Sequence, residues 1–269
     1  MVAACLSGSA FAQFSNFSTG AEGWTGAGFS SSYSAPPYVT GLGINWAESG
    51  NPGGAVQLTD LAAETFFSAP SKYLGNKSSA LGTSLRYDTR VYYSDNAAYP
   101  MVILQGPDNT SLCFASEVPP IGSWWSVEVP LSPTSKWHYG GRSGPEPTLS
   151  QFLNVLSDLK GLYIIAEWHT GSDDTWLDNV AMGFDPNAPT GYVELRDWAG
   201  PTLEVPCDIA FSQNGQPVLA KSLVLEPNGA IRMGDGLPSG VYNVTIKASH
   251  WLSAVHSGVE VMAGFPIVL

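Results

Sequence analysis

Positive charge and cysteine are scarce in this sequence. Only 11 Lys and Arg residues stand against 23 Asp and Glu residues, which gives a formal net charge of -12 at pH 7. Proteins that bind nucleic acid neutralise its phosphates with clusters of Lys and Arg. The charge balance therefore predicts that nucleic acid is not a partner.

Long apolar runs are also missing. No stretch beyond the N-terminal segment reaches the roughly 18 residues that a transmembrane helix needs, so no membrane span is predicted. Of the three cysteines, Cys113 and Cys207 lie in different parts of the chain and need not pair. Disulfides are therefore not expected to hold this fold together.

The first residues resemble the end of an export signal. Residues 2–12 are small and apolar and close with "AFA" before Gln13, the pattern of a signal-peptidase site. The sequence "VAAC" also resembles a lipobox, which would make Cys5 a lipid anchor, although plain cleavage is favoured. We expect residues 1–12 to be a signal-peptide remnant and the protein to be secreted or held at the cell surface.

Turn-forming and aromatic residues are abundant, with 29 Gly, 20 Pro and 12% aromatic residues. This composition is typical of short strands joined by many turns and predicts an all-β protein. The sequence "GFDPNAPTG" has turn chemistry and little to bury, which predicts a linker. The expected organisation is a domain at 13–184, a linker at 185–190 and a small β-sandwich, Ig-like or prealbumin-like, at 191–269.

Strand patterns are strong in the first domain. Residues 84–94 and 100–106 are predicted strands separated by a turn, and residues 161–170 and 175–184 are predicted to form a hairpin around "GSDD". The alternation in "WWSVEVPL" predicts that Trp125 is in the core and that Trp124 points outward.

One helix is predicted between these strands. Thr148 is expected to be its N-cap, paired with Gln151 in a capping box, and Gly161 is expected to stop it. Apolar residues recur at the spacing of one helix face and predict a stripe that packs on a sheet: Leu149, Phe152, Leu153, Leu156 and Leu159.

Several motifs of the first domain occur in the order found in a known family. They are "GNPGG" at 50–54, Asp60, "FFSAPSKYLGNKSSALGTSLRYD" from residue 66, "MVILQG", the W-x-V-x-V-P-L strand, Trp137, "FLNVLSDLKGLYIIAEW" and "LDNVAM". From about residue 14 to 183 the chain resembles the laminin B domain, also called laminin IV type A. The resemblance implies a jelly-roll β-sandwich with one short helix, similar to many carbohydrate-binding modules. The EGF-like repeats that accompany this domain in animal laminins are missing, so only the fold is carried over.

The last domain has a weaker resemblance. Residues 237–252, "LPSGVYNVTIKASHWL", are similar to the carboxypeptidase-regulatory-like or Cna-B-like β-sandwiches of secreted bacterial proteins. Together the two resemblances imply an exported protein built from two binding or structural modules.

Signals of catalysis are weak. A Gly-x-Ser-x-Gly nucleophile motif does not occur, and the four His residues are scattered, so neither an α/β-hydrolase site nor a zinc site is predicted. Glycoside hydrolysis needs two carboxylates across a cleft, which Glu117, Glu128, Glu167 and Asp178 supply only by chance. No catalytic residue is therefore assigned.

The resemblance implies a structural calcium ion. In similar jelly-roll carbohydrate-binding modules, an Asp in a "DNV" step binds Ca²⁺ together with groups near the N-terminus. The matching residues are Asp178 and Glu22, whose carboxylate oxygens suit Ca²⁺. The alternative role for Asp178 is a turn or capping hydrogen bond. Asp173 and Asp174 are expected to form a polar turn.

Sugar binding requires a flat aromatic face beside hydrogen-bonding groups. The candidate carbohydrate-binding residues, in predicted strand-edge or loop positions, are Trp124, Trp137, Tyr139 and Arg142. Core packing is the alternative for Trp137, and a place on the loop surface is the alternative for Arg142.

These observations predict an exported, non-catalytic binding module for polysaccharide or for a component of the extracellular matrix or cell surface. The alternative is a structural or adhesive envelope component that assembles with itself and binds no small ligand. A glycoside hydrolase is a more distant alternative.

Overall fold

The chain forms two compact units, Ala12–Phe184 and a second one made of Met1–Phe11 and Asp185–Leu269. The computed structural model describes residues 2–3, 13–51, 53–60, 62–115, 117–184, 191–192, 194–195, 205–225, 230–231, 237, 240–249 and 253–261. The predicted signal segment and linker fall almost wholly outside the described residues, and Cys5 does so entirely.

Nearly all regular structure is β-strand. Up to Phe184 the strands are β1 Val2–Ala3, β2 Gln13–Ser15, β3 Thr25–Gly28, β4 Val39–Leu42, β5 Asn45–Ala47, β6 Ala55–Thr59, β7 Thr65–Ser68, β8 Ser84–Val91, β9 Val102–Gln105, β10 Ser111–Phe114, β11 Trp125–Pro130, β12 Trp137–Tyr139, β13 Gly161–Ile165 and β14 Asp174–Phe184. Beyond it they are β15 Gly191–Tyr192, β16 Glu194–Leu195, β17 Pro206–Gln213, β18 Gln216–Val224, β19 Ala230–Ile231, β20 Gly240–Ala248 and β21 Ala254–Val261. The α-helix is α1 Leu149–Ser157, and short 3₁₀ helices span Ser71–Tyr73, Ser78–Ala80 and Pro107–Asn109.

The larger unit is a sandwich of two antiparallel sheets. One sheet has seven strands in the order β12-β10-β9-β13-β7-β3-β4, and the other has the order β11-β8-β14-β6-β5 with β2 paired to β14. Their inner faces share one apolar core, in which Phe66, Phe67 and Leu85 are fully buried. This architecture confirms the predicted all-β class and the jelly-roll β-sandwich.

The predicted hairpin around "GSDD" is wrong. β13 belongs to the seven-stranded sheet, whereas β14 pairs with β8 and β6 in the other sheet. The consecutive strands β8 and β9 likewise lie in different sheets. Asp173 is only 3% exposed, and one of its oxygens accepts the amide of Trp168 at 2.8 Å. This turn is therefore a corner between two layers, and its first Asp is buried rather than solvated.

Alternation along the strands fixes which side chains face the core. In β11, Val127 and Val129 are buried while Ser126 and Glu128 are exposed, because successive side chains of a strand point to opposite faces. Trp125 is half-buried and packs against the core, as the pattern predicts. Along β11, the opposite face of this sheet is open to solvent.

The helix begins at the predicted residue and ends earlier than predicted. Thr148 accepts the amide of Gln151, and Gln151 accepts the amide of Thr148, which completes the capping box. The last helical residue is Ser157, and Gly161 instead starts β13. Leu149 is 54% exposed, while Val155, which the stripe omitted, is buried. The shorter helix therefore packs through a smaller face than the spacing predicts.

The segment "FFSAPSKYLGNKSSALG" is structural. Tyr73 is fully buried, and its hydroxyl donates to Val180 O at 2.9 Å and lies 3.1 Å from Ser15 Oγ. Gly75 has a φ of 82°, which a β-branched residue adopts only with strain, and its amide donates to Leu159 O at 2.8 Å. This loop ties β7 to the helix end.

In the smaller unit, the described residues give one four-stranded antiparallel sheet, β18-β17-β20-β21, and two short strand pairs. Tyr242, Val244, Ile246 and Ala248 are buried on one face of β20, as their alternation predicts. The second β-sandwich stays a prediction.

Candidate functional site

The four residues predicted to bind sugar do not converge. Trp124 directly precedes β11 at the edge of one sheet. Trp137 and Tyr139 belong to β12, at the edge of the opposite sheet, and Arg142 follows them. The predicted single site is therefore split between the two layers.

Trp137 is a core residue. It is 1% exposed, and its indole nitrogen donates to Pro130 O at 2.8 Å. Its ring lies edge-to-face with Phe114 and Phe152, at centroid distances of 5.2 and 5.6 Å. Tyr139 is half-buried and packs against the same core. Because Trp137 has no free face, the core alternative describes it.

Arg142 lies in a separate shallow cleft of about 320 Å³, which Tyr99, Cys113 and His138 also line. Its guanidinium donates to Ala98 O at 3.2 Å and lies 5.9 Å from the ring of Tyr33. Burial raises the pKa of the Cys113 thiol to about 12, so this thiol is not a nucleophile near neutral pH. The cleft offers no exposed aromatic face beside Arg142.

Trp124 instead forms part of an aromatic cluster on the outer face of the six-stranded sheet. The central atom of the Arg90 guanidinium lies 4.8 Å from the ring of Trp124, 5.1 Å from that of Trp176 and 5.5 Å from that of Tyr92. Both indoles are half-buried, and Tyr92 is 43% exposed. We call these four residues the Arg90 platform.

Strand pairing extends the platform into a row. Arg90 lies opposite Trp176, Trp176 opposite Gln57, and Gln57 opposite Asn45, so that these side chains cross β8, β14, β6 and β5 side by side. With Trp124, the row spans about 19 Å at the usual spacing between strands. We call these five residues the outer row. Its members are two aromatic rings, a guanidinium and two amides.

Arg90, Trp176, Gln57 and Asn45 were not predicted from the sequence. The alternation in β8 carries a weak signal, since Thr89 and Val91 are buried and Arg90 must point the other way. Which residues lie beside Arg90 depends on strand register, which the sequence does not reveal.

Asp178 lies on the same sheet and is fully buried. It lies directly opposite Asp88, which is 6% exposed, and it accepts the amides of Asn51 at 2.5 Å and Asn179 at 2.7 Å. Burial, together with the nearby charges of Asp88 and Glu22, raises the pKa of Asp178 to about 7. The "GNPGG" loop is thus attached to the last strand of the sandwich.

Glu22, the other predicted calcium ligand, already has partners for both oxygens. One oxygen accepts the amides of Asn16 and Phe17 at 3.1 and 2.6 Å, and the other pairs with Lys72 at 2.5 Å. Across the described ranges, no group of three or more His, Cys, Asp or Glu side chains is arranged to hold a metal ion. The amide oxygen of Asn179, however, is buried without a described partner.

A second group of acids lies at one end of the sandwich. Glu167 is 4% exposed, and one of its oxygens accepts the amide of Thr65 at 3.3 Å. Burial, with the charges of Asp60 and Asp173, raises the pKa of Glu167 to about 8, and burial raises that of Asp173 to about 6. Glu167 is therefore mostly protonated at neutral pH.

The four carboxylates considered for glycoside hydrolysis are already engaged or enclosed. Glu117 pairs with Lys136 at 2.7 Å, and Glu128 accepts the hydroxyl of Ser84 at 2.9 Å. Glu167 and Asp178 are buried and thus closed to a substrate. In the part of the chain that the structure describes, no helix is long and apolar enough to cross a membrane.

Comparison with known proteins identifies a family for part of the chain. Residues 66–193 match the family model Laminin B (Domain IV), which confirms the predicted resemblance over this segment. No curated protein matches the sequence. The resemblance proposed for the C-terminal unit stays a prediction.

Similar solved structures include the L4b domain of human laminin alpha-2, at 22% identity and a TM-score of 0.40, covering 44% of this chain and 69% of that one. The family 11 carbohydrate-binding module of the cellulosomal cellulase Lic26A-Cel5E of Clostridium thermocellum has 16% identity and a TM-score of 0.40, covering 65% and 95%. A beta-1,2-glucanase from Parabacteroides distasonis has 14% identity and a TM-score of 0.35, covering 84% and 35%.

Proposed function

We propose that this chain, in which residues 66–193 match the laminin B family model, is an exported, non-catalytic module that binds polysaccharide on its outer row. The observation that carries the proposal is the Arg90 platform. It places two half-buried indoles on the outer face of the sheet, with the amides of Gln57 and Asn45 in the same row.

The chemistry of the row suits a sugar chain. Indole rings contact the C–H faces of sugars, and amide and guanidinium groups donate hydrogen bonds to hydroxyls. A row of about 19 Å is long enough for several sugar rings. The sheet beneath it is rigid, so little conformational entropy is lost when a ligand binds.

The test is binding to a glycan array, followed by titration of the glycans that are retained. We expect Trp124→Ala and Trp176→Ala each to weaken binding by about fivefold, because stacking on an aromatic ring contributes on the order of 1 kcal/mol. Tyr38→Ala is the matched control, since Tyr38 is 60% exposed and precedes β4 in the opposite sheet. Equal loss in all three variants would contradict the assignment of the outer row.

An array on which no glycan is retained would favour the alternative function. If no glycan is retained and light scattering shows concentration-dependent association of the wild-type protein, the structural and self-assembling alternative replaces the proposed function. Association of this kind should then persist in Trp176→Ala.

We further propose that a calcium ion stabilises the sandwich beside Asp178. Asp178 and Asp88 lie directly opposite each other, and their carboxylate oxygens can bind Ca²⁺ in addition to the hydrogen bonds that they accept, whereas Lys72 already neutralises the charge of Glu22. Chelator should lower the melting temperature, and added Ca²⁺ should restore it. An unchanged melting temperature, or the same shift in Asp178→Asn, would remove the calcium proposal.

A further inference from the structure

Arg90 has unusual surroundings for a guanidinium in the middle of a sheet. Across the described ranges, no Asp or Glu forms an ion pair with it, and its Nε is buried without an acceptor. Its guanidinium lies over the rings of Trp124, Trp176 and Tyr92. Arginine at such a position normally binds a carboxylate, so the guanidinium of the unpaired Arg90 has N–H donors available for a ligand.

The nearby carboxylates are committed elsewhere. Asp88 accepts hydrogen bonds from Ser126 at 2.6 Å and from the side chains of Asn51 and Asn179 at 3.2 and 2.8 Å. Asp174 accepts the hydroxyl of Thr59 at 2.9 Å. Both acids therefore have other hydrogen-bond partners, and neither forms an ion pair with Arg90.

The aromatic rings fix the direction of the guanidinium. Held between two indoles, Arg90 loses little side-chain entropy when it binds, and the low polarity of the rings strengthens its attraction for an anion. The planar guanidinium offers parallel N–H donors that match the two oxygens of a carboxylate. The same rings provide stacking surface on both sides of it.

We propose that the polysaccharide bound by the outer row carries uronic acid residues and that Arg90 receives a uronate carboxylate. This inference rests on the proposed function and adds the chemical class of the ligand. The net charge of -12 repels polyanions in general, so we expect the row to prefer a uronate chain to a heavily sulfated one, which carries more negative charge per sugar.

The experiment is calorimetric titration with paired hexasaccharides. Hexasaccharides of hyaluronan, alginate and homogalacturonan are each compared with their carboxyl-reduced forms, in which every carboxylate has become a neutral hydroxymethyl group. Cellohexaose, mannohexaose and a heparin hexasaccharide complete the set. We expect at least one uronate hexasaccharide to bind tenfold or more tightly than its own reduced form.

Variants of Arg90 test whether this residue causes the difference in affinity between the acidic and the reduced hexasaccharides. Arg90→Gln should abolish the preference for the acidic form, and Arg90→Lys should keep part of it, because the charge remains while the paired donors are lost. Circular dichroism and melting curves of both variants confirm folding. Trp176→Ala should weaken the acidic and reduced forms alike.

The outcomes separate the two proposals. If reduced and neutral hexasaccharides bind as tightly as the acidic ones, the uronate inference is wrong and polysaccharide binding stands. If the acidic preference survives Arg90→Gln, the role of Arg90 is refuted, and tightest binding of heparin would refute the expected preference for a uronate chain over a sulfated one. If no oligosaccharide binds, the proposed function itself fails.

Discussion

Glu167 leads to a prediction that runs against the usual effect of alkaline pH on acidic groups. Its side chain is 4% exposed, and burial with neighbouring acids raises its pKa from 4.5 to about 8. The folded chain therefore holds a proton that the unfolded chain releases above pH 4.5. Stability from this group is complete below that pH and is lost as the pH rises through 8.

The size of the effect follows from the shift. One pKa unit corresponds to about 1.4 kcal/mol, so the free energy of unfolding should fall by about 3 kcal/mol between pH 5 and pH 8 through Glu167 alone. Asp173 and Asp178, whose raised pKa values are about 6 and about 7, add to the fall in the same direction.

Glu167→Gln isolates this contribution. Glutamine has nearly the same shape and keeps an oxygen that accepts the Thr65 amide, but it does not ionise. The variant should be more stable than wild type at pH 8, by about 3 kcal/mol, and should differ by less than about 1 kcal/mol at pH 5.

The assay is urea unfolding of chelated protein, followed by tryptophan fluorescence at pH 5, 6, 7 and 8. A wild-type stability that is flat or rises over this range would refute the reasoning. So would a Glu167→Gln curve that runs parallel to that of the wild type.

Two further predictions concern the loop that ties β7 to the helix. Tyr73→Phe removes a hydroxyl that bonds Val180 O and contacts Ser15 Oγ, and it should lower the free energy of unfolding by about 1 to 3 kcal/mol in urea melts, with Phe66→Leu as a packing control. Gly75→Val forces a β-branched residue to a φ of 82° and should lower the melting temperature without changing the affinity of the remaining folded protein for sugar. A folded Gly75→Val protein that fails only to bind would overturn this structural assignment.

The sequence predicted what depends on local patterns. The alternation of Val127 and Val129 and the pairing of Thr148 with Gln151 are properties of short segments, and the structure confirms both. The prediction that the helix ends at Gly161 was wrong, because Leu159 already forms an isolated antiparallel β-bridge with Gly75. There a contact distant in sequence overrides the local signal.

The candidate site depended on long-range geometry. Consecutive strands cross between layers, so β13 and β14 are not a hairpin and Trp124 and Trp137 lie on different sheets. Arg90 and Trp176 are neighbours only through the pairing of β8 with β14. Trp137 was a candidate because it is aromatic and was predicted to lie at a strand edge or in a loop, but its size makes it as suitable for a core as for a binding face.

The most direct test of the account is titration of the best-retained glycan against wild type, Trp176→Ala and Tyr38→Ala. The account predicts that Trp176→Ala weakens binding by about fivefold while Tyr38→Ala binds like wild type, because only the first lies on the outer row. Unchanged binding by a folded Trp176→Ala protein would contradict the central claim.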